Sequence, residues 1–504
     1  MGEPRSETLS ISPRNLDVSP DGSRLEWEDP KTQTKYGVST DSLVAILLPT
    51  PARESDSNAD ASLDDSTSSS LTALYLQRSQ GSNNGGNGDA DGNETRLDRV
   101  SIPRTLLDSP RAEGLRKSLF SRLPAHLDIG DEKDGTTTAS VNSIHVVIST
   151  LSGTQQASPF FQNALKPLLD TINVSRYEVH ETESATSITD LCETIFVPRA
   201  KRGGRQTIIL LSGDGGVIEV IKAFADALDE KERSPAFVPP TLCVIPMGTG
   251  NATANSASSS PDSTLGLSAL VHGTPRILPT FRVTLSPGAV HVMDEGRRRQ
   301  PVDQRHGNEG VGHVYGAVVV SWGMHASLVA DSDTAEYRKF GVDRFKMAAK
   351  ELLWPSDGSQ THRYQGKVSL TVVKNDSTSN ELETVDIERR EHMYVLTTLV
   401  SQLEGGFTIS PASRPLDGQL RIVHFGPVTS ERAMELMGLA YQGGKHVEQP
   451  EVEYRAVEKV RIEFKEEDER WRRICVDGKI VAVPERGWLE VAKDDRHLVS
   501  LVAV

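Results

Sequence analysis

Few cysteines and no long apolar run are the first features of this sequence. Among its 504 residues there are three cysteines, Cys192, Cys243 and Cys475, and their wide spacing predicts neither a disulfide framework nor a zinc framework. No apolar stretch approaches the roughly 20 residues that span a bilayer, and the first residues are charged where a secretory signal would be apolar. We therefore expect a cytoplasmic protein.

The sequence also lacks an excess of positive charge. Its 55 lysines and arginines are outnumbered by 70 aspartates and glutamates, which gives a formal net charge of −15. General nucleic-acid-binding proteins usually present a basic surface. We therefore expect no nucleic-acid partner.

The first 125 residues contain short apolar runs around turns and predict a small N-terminal β module. Two stretches within it, Ser55–Ser70 and Gln80–Asn93, are rich in Ser, Asp, Asn and Gly, and such stretches bury too little apolar surface to become ordered. The segment Leu115–Leu123 is amphipathic and basic. It fits a helix that closes the β module, and it also fits contact with a membrane surface.

Residues 142–265 alternate between strand and helix patterns, which predicts a doubly wound α/β domain. The predicted strands are Ile144–Ile148, Tyr177–His180, Thr207–Leu211 and Thr241–Met247, and the predicted helices are Phe160–Leu169, Ile188–Ile195 and Val217–Leu228. Residues 266–504 predict a second, all-β domain. Its predicted strands are Arg282–Leu285, His313–Ser321, Gly366–Val373, Met393–Leu399, Leu420–His424, Val452–Phe464, Ile474–Ala482 and Leu498–Val502.

A glycine-rich turn joins the third α/β strand to the helix that follows it. The turn consists of Ser212, Gly213, Asp214, Gly215 and Gly216. Glycines let the backbone approach a ligand closely, and the start of a helix offers unpaired N–H groups with a positive dipole, so this geometry suits phosphate. Asp214, between the glycines, fits a proton acceptor or a metal ligand, and it also fits a simple helix cap.

A second glycine turn follows the next strand and contains Gly248, Thr249, Gly250 and Asn251. Two such turns after successive strands are expected to lie side by side in a parallel sheet, where ligands bind beyond the carboxyl ends of the strands. We therefore expect one ligand site between them.

Together these motifs resemble a known family of enzymes. Ser-Gly-Asp-Gly at 212–215 with Glu219 five residues after the Asp, followed by Pro-Met-Gly-Thr-Gly-Asn-Ala at 246–252, is similar to the catalytic domain of the diacylglycerol kinase and sphingosine kinase superfamily. The forms "SGDG" and "GNA" resemble its sphingoid-base branch more than its diacylglycerol branch. The resemblance implies a β-sandwich as the second domain, with ATP in the cleft between the domains and the lipid tail under the sandwich.

The resemblance also implies roles for individual residues. Asp214 would be the base that accepts the proton of the substrate hydroxyl, and Glu219 would support the Asp214 turn or a Mg²⁺ ion. The nucleotide would contact Ser212, Gly213, Gly215, Gly216, Gly248, Thr249, Gly250, Asn251 and Thr182.

A further segment, 321–345, is similar to one in sphingosine kinases where an Asp meets the amino-alcohol head of the substrate and two arginines hold ATP phosphates. Those residues correspond here to Asp331, Arg338 and Arg344, and Asp333 is a possible substitute for Asp331. A carboxylate pairs well with an ammonium group, and guanidinium donors suit phosphate oxygens.

Two positions depart from the family pattern. The Asn-Pro-x-x-Gly nucleotide loop is replaced by Ser149–Gly153, in which the glycine alone is retained. Asp477 and Gly478 match a nucleotide or metal motif, but Lys479 stands where the family has Glu. Asp-Gly is also a strong hairpin signal, so a plain turn explains these two residues equally well.

We therefore expect an ATP- and Mg²⁺-dependent lipid kinase that phosphorylates a sphingoid long-chain base and visits a membrane surface to collect it. Three alternatives remain open from the sequence. One is a diacylglycerol or ceramide kinase of the same superfamily, and one is an NAD kinase, which shares a Gly-Asp-Gly turn and the order of the two domains. The third is a lipid-binding scaffold without activity, which the changed Ser149–Gly153 loop and Lys479 suggest.

Overall fold

A computed structural model describes residues 14–28, 33–49, 70–78, 95–130, 141–229, 235–258, 262–302, 310–341, 343–374 and 381–504. Apart from Ser70, the two predicted insertions Ser55–Ser70 and Gln80–Asn93 lie outside these residues.

The N-terminal β module is present and consists of two small sheets. One contains Arg14–Val18, Arg24–Glu28 and Lys35–Ser39, and the other contains, in spatial order, Thr95–Pro103, Ser70–Arg78, Leu43–Leu47 and Leu119–Phe120. The segment 115–123 closes this module, because Leu115 is fully buried in its core and Leu119–Phe120 pairs with Leu43–Leu47. The interpretation that this segment closes the β module is therefore confirmed.

The module also packs on the α/β domain. Val44, Ala45, Leu74 and Leu76 share one apolar core with the strand Ser143–Ile148. The imidazole Nε2 of His272, in the α/β domain, lies 2.9 Å from the backbone oxygen of Val44.

The α/β domain is built on a six-stranded sheet, and the strands predicted from its sequence are confirmed. The spatial order is Thr274–Ile277, Ser500–Ala503, Thr241–Pro246, Gln206–Ser212, Ser143–Ile148 and Glu178–Glu181. All neighbours pair in parallel except the first two, which are antiparallel. The central strand Gln206–Ser212 is buried along its whole length, as an apolar run in a parallel sheet should be.

Helices cover both faces of this sheet, so the doubly wound fold is confirmed. One face carries the continuous helical segment 157–171 and the helix Leu267–His272, and the other carries the segment 187–201 and the helix Asp214–Asp229. Both long segments contain a π turn, Phe161–Leu165 and Cys192–Phe196, just before a proline. A proline ring collides with the carbonyl four residues earlier, and the wider turn moves that carbonyl away.

The predicted boundary between the two domains needs correction. The strands Thr274–Ile277 and Ser500–Ala503 were assigned by sequence to the second domain, but their hydrogen bonds place them in the α/β sheet. The sequence could not reveal this, because a short apolar strand carries no mark of the sheet that it joins.

The rest of the second domain is a β-sandwich with a core between two large sheets. The first contains Gly312–Gly316, Thr280–Leu285, Trp488–Asp494, Lys459–Phe464, Tyr364–Val373 and Leu382–Asp386, with Glu391–His392 beside Tyr364–Val373. The second contains Arg298–Pro301, Val290–Met293, Lys479–Ala482, Arg473–Val476, Val319–Gly323, Tyr394–Thr398, Arg421–Phe425 and Glu453–Ala456. A separate hairpin pairs Gln402–Glu404 with Phe407–Thr408.

Helices of the second domain lie outside the two sheets. Their bounds are Met324–Ser332, Ala335–Arg338, Asp343–Leu353 and Ser430–Ala440. Among the described residues, no helix combines the length and the apolar character that crossing a bilayer requires.

Candidate active site

The two glycine turns touch each other at the carboxyl ends of adjacent strands. A Cβ atom placed on Gly248 would lie 2.3 Å from the Cα of Gly213, and one placed on Gly213 would lie 2.8 Å from the Cα of Gly248. Such distances are too short for any side chain, so both positions require glycine for the backbones to meet. Gly153 approaches the same place, because its Cβ would lie 2.4 Å from the backbone oxygen of Met247.

Gly215 differs from these glycines because no packing requires it. A Cβ atom on Gly215 would meet no described atom within 4 Å, and the residue is exposed at the start of the helix Asp214–Asp229. Gly250 is similarly open, since a Cβ atom placed on it would lie 3.6 Å from a carboxylate oxygen of Asp214. Open glycines beside a helix N-terminus leave room for phosphate to reach the backbone N–H groups.

The Asp214 carboxylate joins the two turns. One oxygen accepts a hydrogen bond from the N–H of Ala252 at 2.7 Å, and the other accepts one from the N–H of Thr253 at 2.9 Å. Asp214 therefore caps the helix Ala252–Ser256, which begins at the other turn. Burial raises the pKa of this carboxyl above the usual value for Asp, although the two N–H groups oppose the rise. A raised pKa suits a group that must accept a proton.

Asp477 is a second buried carboxylate that the charge of Asp214 reaches. Asp477 and Gly478 form the two-residue turn between Arg473–Val476 and Lys479–Ala482, with positive φ values of 46° and 82°, so the predicted hairpin turn is confirmed. The Asp477 carboxylate accepts hydrogen bonds from the backbone N–H groups of residues 317–319. Burial raises its pKa to about 7 against these bonds, and the charge of Asp214 adds to the rise. The α/β domain and the β-sandwich therefore each contribute one buried carboxylate.

Lys479 faces the helix that begins at Asp214. Burial lowers the pKa of Lys479, and the nearby charge of Glu219 opposes that change. Glu219 itself has a pKa raised by burial, which the charge of Lys479 partly offsets. The lysine that replaces the family's Glu therefore neutralises Glu219 beside the site. Glu219 as a direct support of the Asp214 turn or of a metal stays a prediction.

The changed loop Ser149–Gly153 lies against the first glycine turn. The hydroxyls of Ser149 and Ser152 are 2.6 Å apart, and the hydroxyl of Ser152 lies 3.5 Å from that of Ser212. Thr182, predicted to contact nucleotide, is buried and accepts a hydrogen bond through Oγ1 from the N–H of Thr150. Its observed role is to hold this loop.

In the second glycine turn the Asn251 side chain folds back on its own backbone. Its Oδ1 accepts from the N–H of Gly248 at 3.0 Å, and its Nδ2 donates to the oxygen of Gly248 at 2.8 Å. Thr249 is exposed at the tip of the turn. Asn251 therefore shapes the turn, and Thr249 faces outward where a ligand could reach it.

The structure gives Asp331 two arginine partners. Its carboxylate accepts hydrogen bonds from Arg470 at 3.1 Å and from Arg473 at 2.8 Å. Two guanidinium groups already neutralise this anion, and a contact of Asp331 with an ammonium head stays a prediction. Arg470 and Arg473 lie far away in sequence, and no local pattern indicated the pairing.

The charge of Asp333, the substitute, acts on the same buried thiol as that of Asp477. Burial raises the pKa of the Cys475 thiol to about 12, and the charges of Asp477 and Asp333 add to the rise. Asp333 is about half exposed, and its Oδ1 lies 3.7 Å from a guanidinium nitrogen of Arg344. The backbone of Arg338 ends the short helix Ala335–Arg338, and its side chain lies outside the described atoms.

A cavity of 720 Å³ opens between the C-terminal end of the helix Asp343–Leu353 and the N-terminal end of Ser430–Ala440. Apolar side chains of its wall include Leu353, Trp354, Met393 and Val428. The indole Nε1 of Trp354 donates to Glu431 at 3.3 Å, which links the two helices at the rim.

Comparisons with known proteins agree with this organisation. Residues 143–283 match the diacylglycerol kinase catalytic domain family, and residues 347–487 match the YegS C-terminal NAD kinase beta sandwich-like domain. Sphingosine kinase 1 of Mus musculus is 22% identical over 327 residues, which cover 60% of this chain and 77% of that protein.

Two similar solved structures extend over much of the chain. A diacylglycerol kinase from Bacillus anthracis is 14% identical, with a TM-score of 0.45, over 72% of this chain and 97% of that one. Yeast NADH kinase with bound NADH is 8% identical, with a TM-score of 0.33, over 72% of this chain and 83% of that one.

The match of residues 143–283 to the diacylglycerol kinase catalytic domain, followed by the sandwich match, identifies the protein as a lipid kinase. The chain belongs to the diacylglycerol kinase and sphingosine kinase superfamily. Kinases of this family take their phosphoryl group from a nucleotide. The scaffold without activity is therefore not supported.

Gly215→Ala tests whether a ligand explains the open glycine. We expect the melting temperature to hold or to rise slightly, because alanine favours a helix over glycine by about 0.5–1 kcal/mol. We expect the KM for ATP to rise by about 10- to 100-fold, which corresponds to the loss of one hydrogen bond to a charged group. Steady-state kinetics and thermal unfolding measure both. The control is Gly438→Ala, an equally open glycine in the helix Ser430–Ala440, and an unchanged KM in Gly215→Ala would contradict a phosphate contact.

Asp214→Asn tests the proton acceptor. We expect kcat to fall by about 10²-fold or more, with some loss of stability because an amide cannot accept both N–H bonds. The carboxylate must be ionised to act, so wild-type activity should fall as the pH falls through a pKa above the usual Asp value, and the variant should lack this limb. The control is Asp226→Asn, which removes a charge from the same helix. A kcat equal to that of the wild type would rule out Asp214.

Proposed function

We propose that this lipid kinase transfers the γ-phosphoryl group of Mg²⁺-bound ATP to the hydroxyl of a sphingoid long-chain base. The observation that carries the choice of substrate is the half-exposed carboxylate of Asp333, whose charge acts on the Cys475 thiol together with that of Asp477. A sphingoid base carries an ammonium group, whereas ceramide and diacylglycerol heads are uncharged. Burying that cation is costly unless a carboxylate meets it.

Asp333 is a better partner for the ammonium group than Asp331. Asp331 is held by two arginines at hydrogen-bond distance and its side chain is 27% exposed, whereas the Asp333 side chain is 47% exposed. A nucleotide phosphate would attract Arg344 strongly, since guanidinium and phosphate form charge-assisted pairs. Binding of ATP would then draw Arg344 away from the Asp333 carboxylate.

Two further observations support the same branch of the superfamily. The turn sequences "SGDG" and "GNA" resemble the sphingoid-base branch. The curated relative at 22% identity is a sphingosine kinase, and the match covers 77% of its length.

In this proposal the chain's own residues position the reactants and move one proton. Backbone N–H groups at Gly213, Gly215 and the second turn hold the phosphates, and Asp214 accepts the proton of the attacking hydroxyl. A Mg²⁺ ion near Asp214 and Asp477 would fit their raised pKa values, because a cation would compensate two desolvated carboxylates. The ion would neutralise charge on the phosphates.

A panel of lipids with radiolabelled ATP tests the substrate. We expect labelling of sphinganine and phytosphingosine, with much less of ceramide, diacylglycerol and monoacylglycerol. Asp333→Asn should lower kcat/KM for the bases. The expected loss of transition-state stabilisation is about 2–5 kcal/mol, the cost of leaving a desolvated ammonium group unpaired. The effect on kcat/KM for neutral lipids should be smaller. Asp331→Asn is the control, because its main effect should be on stability through Arg470 and Arg473.

The outcomes of this panel separate the alternatives. Labelling of diacylglycerol or ceramide without labelling of the bases would overturn the choice of substrate and leave the lipid kinase in place. An equal loss of activity on all lipids in the Asp333→Asn variant would contradict a role of Asp333 in recognising the head group.

We also infer that the enzyme reaches its substrate at a membrane surface. Phe340, Met347 and Trp354 are exposed and lie seven residues apart, along and beside the helix Asp343–Leu353. This spacing places Met347 and Trp354 on one side of the helix, and Phe340 precedes its first turn. Trp354 also lines the 720 Å³ cavity. An apolar stripe next to a cavity suits the transfer of a lipid tail from a bilayer.

Met347→Glu tests this membrane contact. We expect binding to phosphatidylcholine vesicles with added phosphatidylserine to fall by about tenfold or more, since a buried apolar side chain contributes about 1.5–3 kcal/mol. Activity on a substrate dissolved in detergent should change little. The control is Leu382→Glu, which changes an equally exposed apolar residue on the strand Leu382–Asp386. Vesicle binding that both variants retain would contradict the assignment.

A further inference from the structure

A cluster of two histidines and one glutamate lies at the edge of the α/β sheet. His145 belongs to the strand Ser143–Ile148, and Glu178 and His180 belong to the neighbouring strand Glu178–Glu181, the last of the sheet. The parallel register pairs His145 with Glu178. Residues two apart in a strand share a face, and paired residues of neighbouring strands do so too. The backbone therefore directs all three side chains to one side of the sheet.

The potential ligand atoms converge on one point. His145 Nδ1 lies 3.1 Å from His180 Nε2 and 3.6 Å from Glu178 Oε2, and the last two atoms are 3.8 Å apart. Tetrahedral Zn²⁺ binds nitrogen and oxygen at about 2.0–2.2 Å, so its ligands lie about 3.3–3.6 Å from one another. The three observed distances, 3.1, 3.6 and 3.8 Å, lie close to that range.

The surroundings of the cluster also suit a metal. His145 Nε2 lies 3.1 Å from the hydroxyl of Ser143, which can accept a hydrogen bond from Nε2–H and so leave Nδ1 unprotonated as a ligand. The ring of Phe196 packs 5.1 Å from that of His145 and 6.2 Å from that of His180, which holds both rings in place. The side chain of Glu178 is 67% exposed. A fourth coordination position can therefore face water.

The cation Arg199 lies near enough to His145 to lower its pKa further, in addition to the effect of burial. Its guanidinium donates to the backbone oxygens of Val141 and Arg205. It is therefore held by carbonyl groups at the amino end of the sheet, and it does not occupy the point where the three ligand atoms meet.

We propose that His145, Glu178 and His180 form a binding site for a divalent transition metal, with Zn²⁺ as the ion that this N₂O donor set suits best. The site is separate from the active site, because the glycine turns follow the carboxyl ends of the strands and His145 lies near the start of its strand. It reaches the active site through one connection. Thr182, two residues after His180, holds the loop Ser149–Gly153 through Thr150.

The chain contains a matched arrangement that should not bind a metal. His392 Nδ1 lies 2.9 Å from His424 Nε2, and Glu453 lies 3.7 Å from the other nitrogen of His424. The residue types are the same, but the carboxylate approaches the far side of the ring. Three ligand atoms therefore do not meet at one point, and Glu453→Gln is a control for Glu178→Gln.

The test is titration of the full-length, chelator-treated protein with ZnSO₄ against a chromophoric zinc chelator. We expect one Zn²⁺ per chain, weakened by about tenfold or more in Glu178→Gln and in His180→Asn, and unchanged in Glu453→Gln. Zn²⁺ should raise the melting temperature of the wild type and not that of His180→Asn, since a ligand of the folded state stabilises it. Co²⁺ in place of Zn²⁺ should give the visible absorption of a tetrahedral site.

Two results would overturn the proposal. One is a wild-type chain that binds no Zn²⁺ in this titration, and the other is binding that Glu178→Gln and His180→Asn leave unchanged. In either case the role of the cluster would be limited to the hydrogen bond between His145 and His180 at the edge of the sheet. Both readouts are independent of kinase activity, and the exposure of Glu178 makes its variant safe for folding.

Discussion

The hydrogen bonds of the Asp214 carboxylate to the N–H groups of Ala252 and Thr253 are the contact on which the active site depends. They tie the start of one helix to the start of another, across the place where Gly213 and Gly248 bring two backbones together. A partly desolvated carboxylate is held at a fixed point in this way, and the open space around Gly215 lies beside it. Position and raised proton affinity therefore come from the same arrangement.

The β-sandwich completes this centre from the other side. The Asp477 carboxylate fills a group of backbone N–H donors at 317–319, and this nest interrupts what the sequence suggested was one strand, His313–Ser321. Asp477 belongs to a hairpin of the sandwich and Asp214 to a turn of the α/β domain, so the charge of Asp214 that raises the pKa of Asp477 acts between the domains. The charges of Lys479 and Glu219 act on each other across the same boundary.

Sequence patterns predicted the fold well where the signal is local. The alternation of strands and helices over 142–265, the two glycine turns and the Asp477–Gly478 hairpin are all encoded in adjacent residues. Long-range partners were not predictable. The two arginines that neutralise Asp331 follow it by more than a hundred residues, and spacing alone favoured Asp331 over Asp333. The sheet membership of Ser500–Ala503 was missed for the same reason, since its pairing with Thr241–Pro246 joins distant parts of the chain.

That last strand has a consequence for how the protein is made. Ser500–Ala503 lies inside the six-stranded sheet, between Thr274–Ile277 and Thr241–Pro246. On a ribosome, the α/β domain cannot close this sheet until synthesis has passed the whole sandwich, so the edge of Thr241–Pro246 stays unpaired in the meantime. An open parallel edge is slow to pair and prone to wrong partners. The nascent chain therefore has a long interval in which protection by chaperones would matter most.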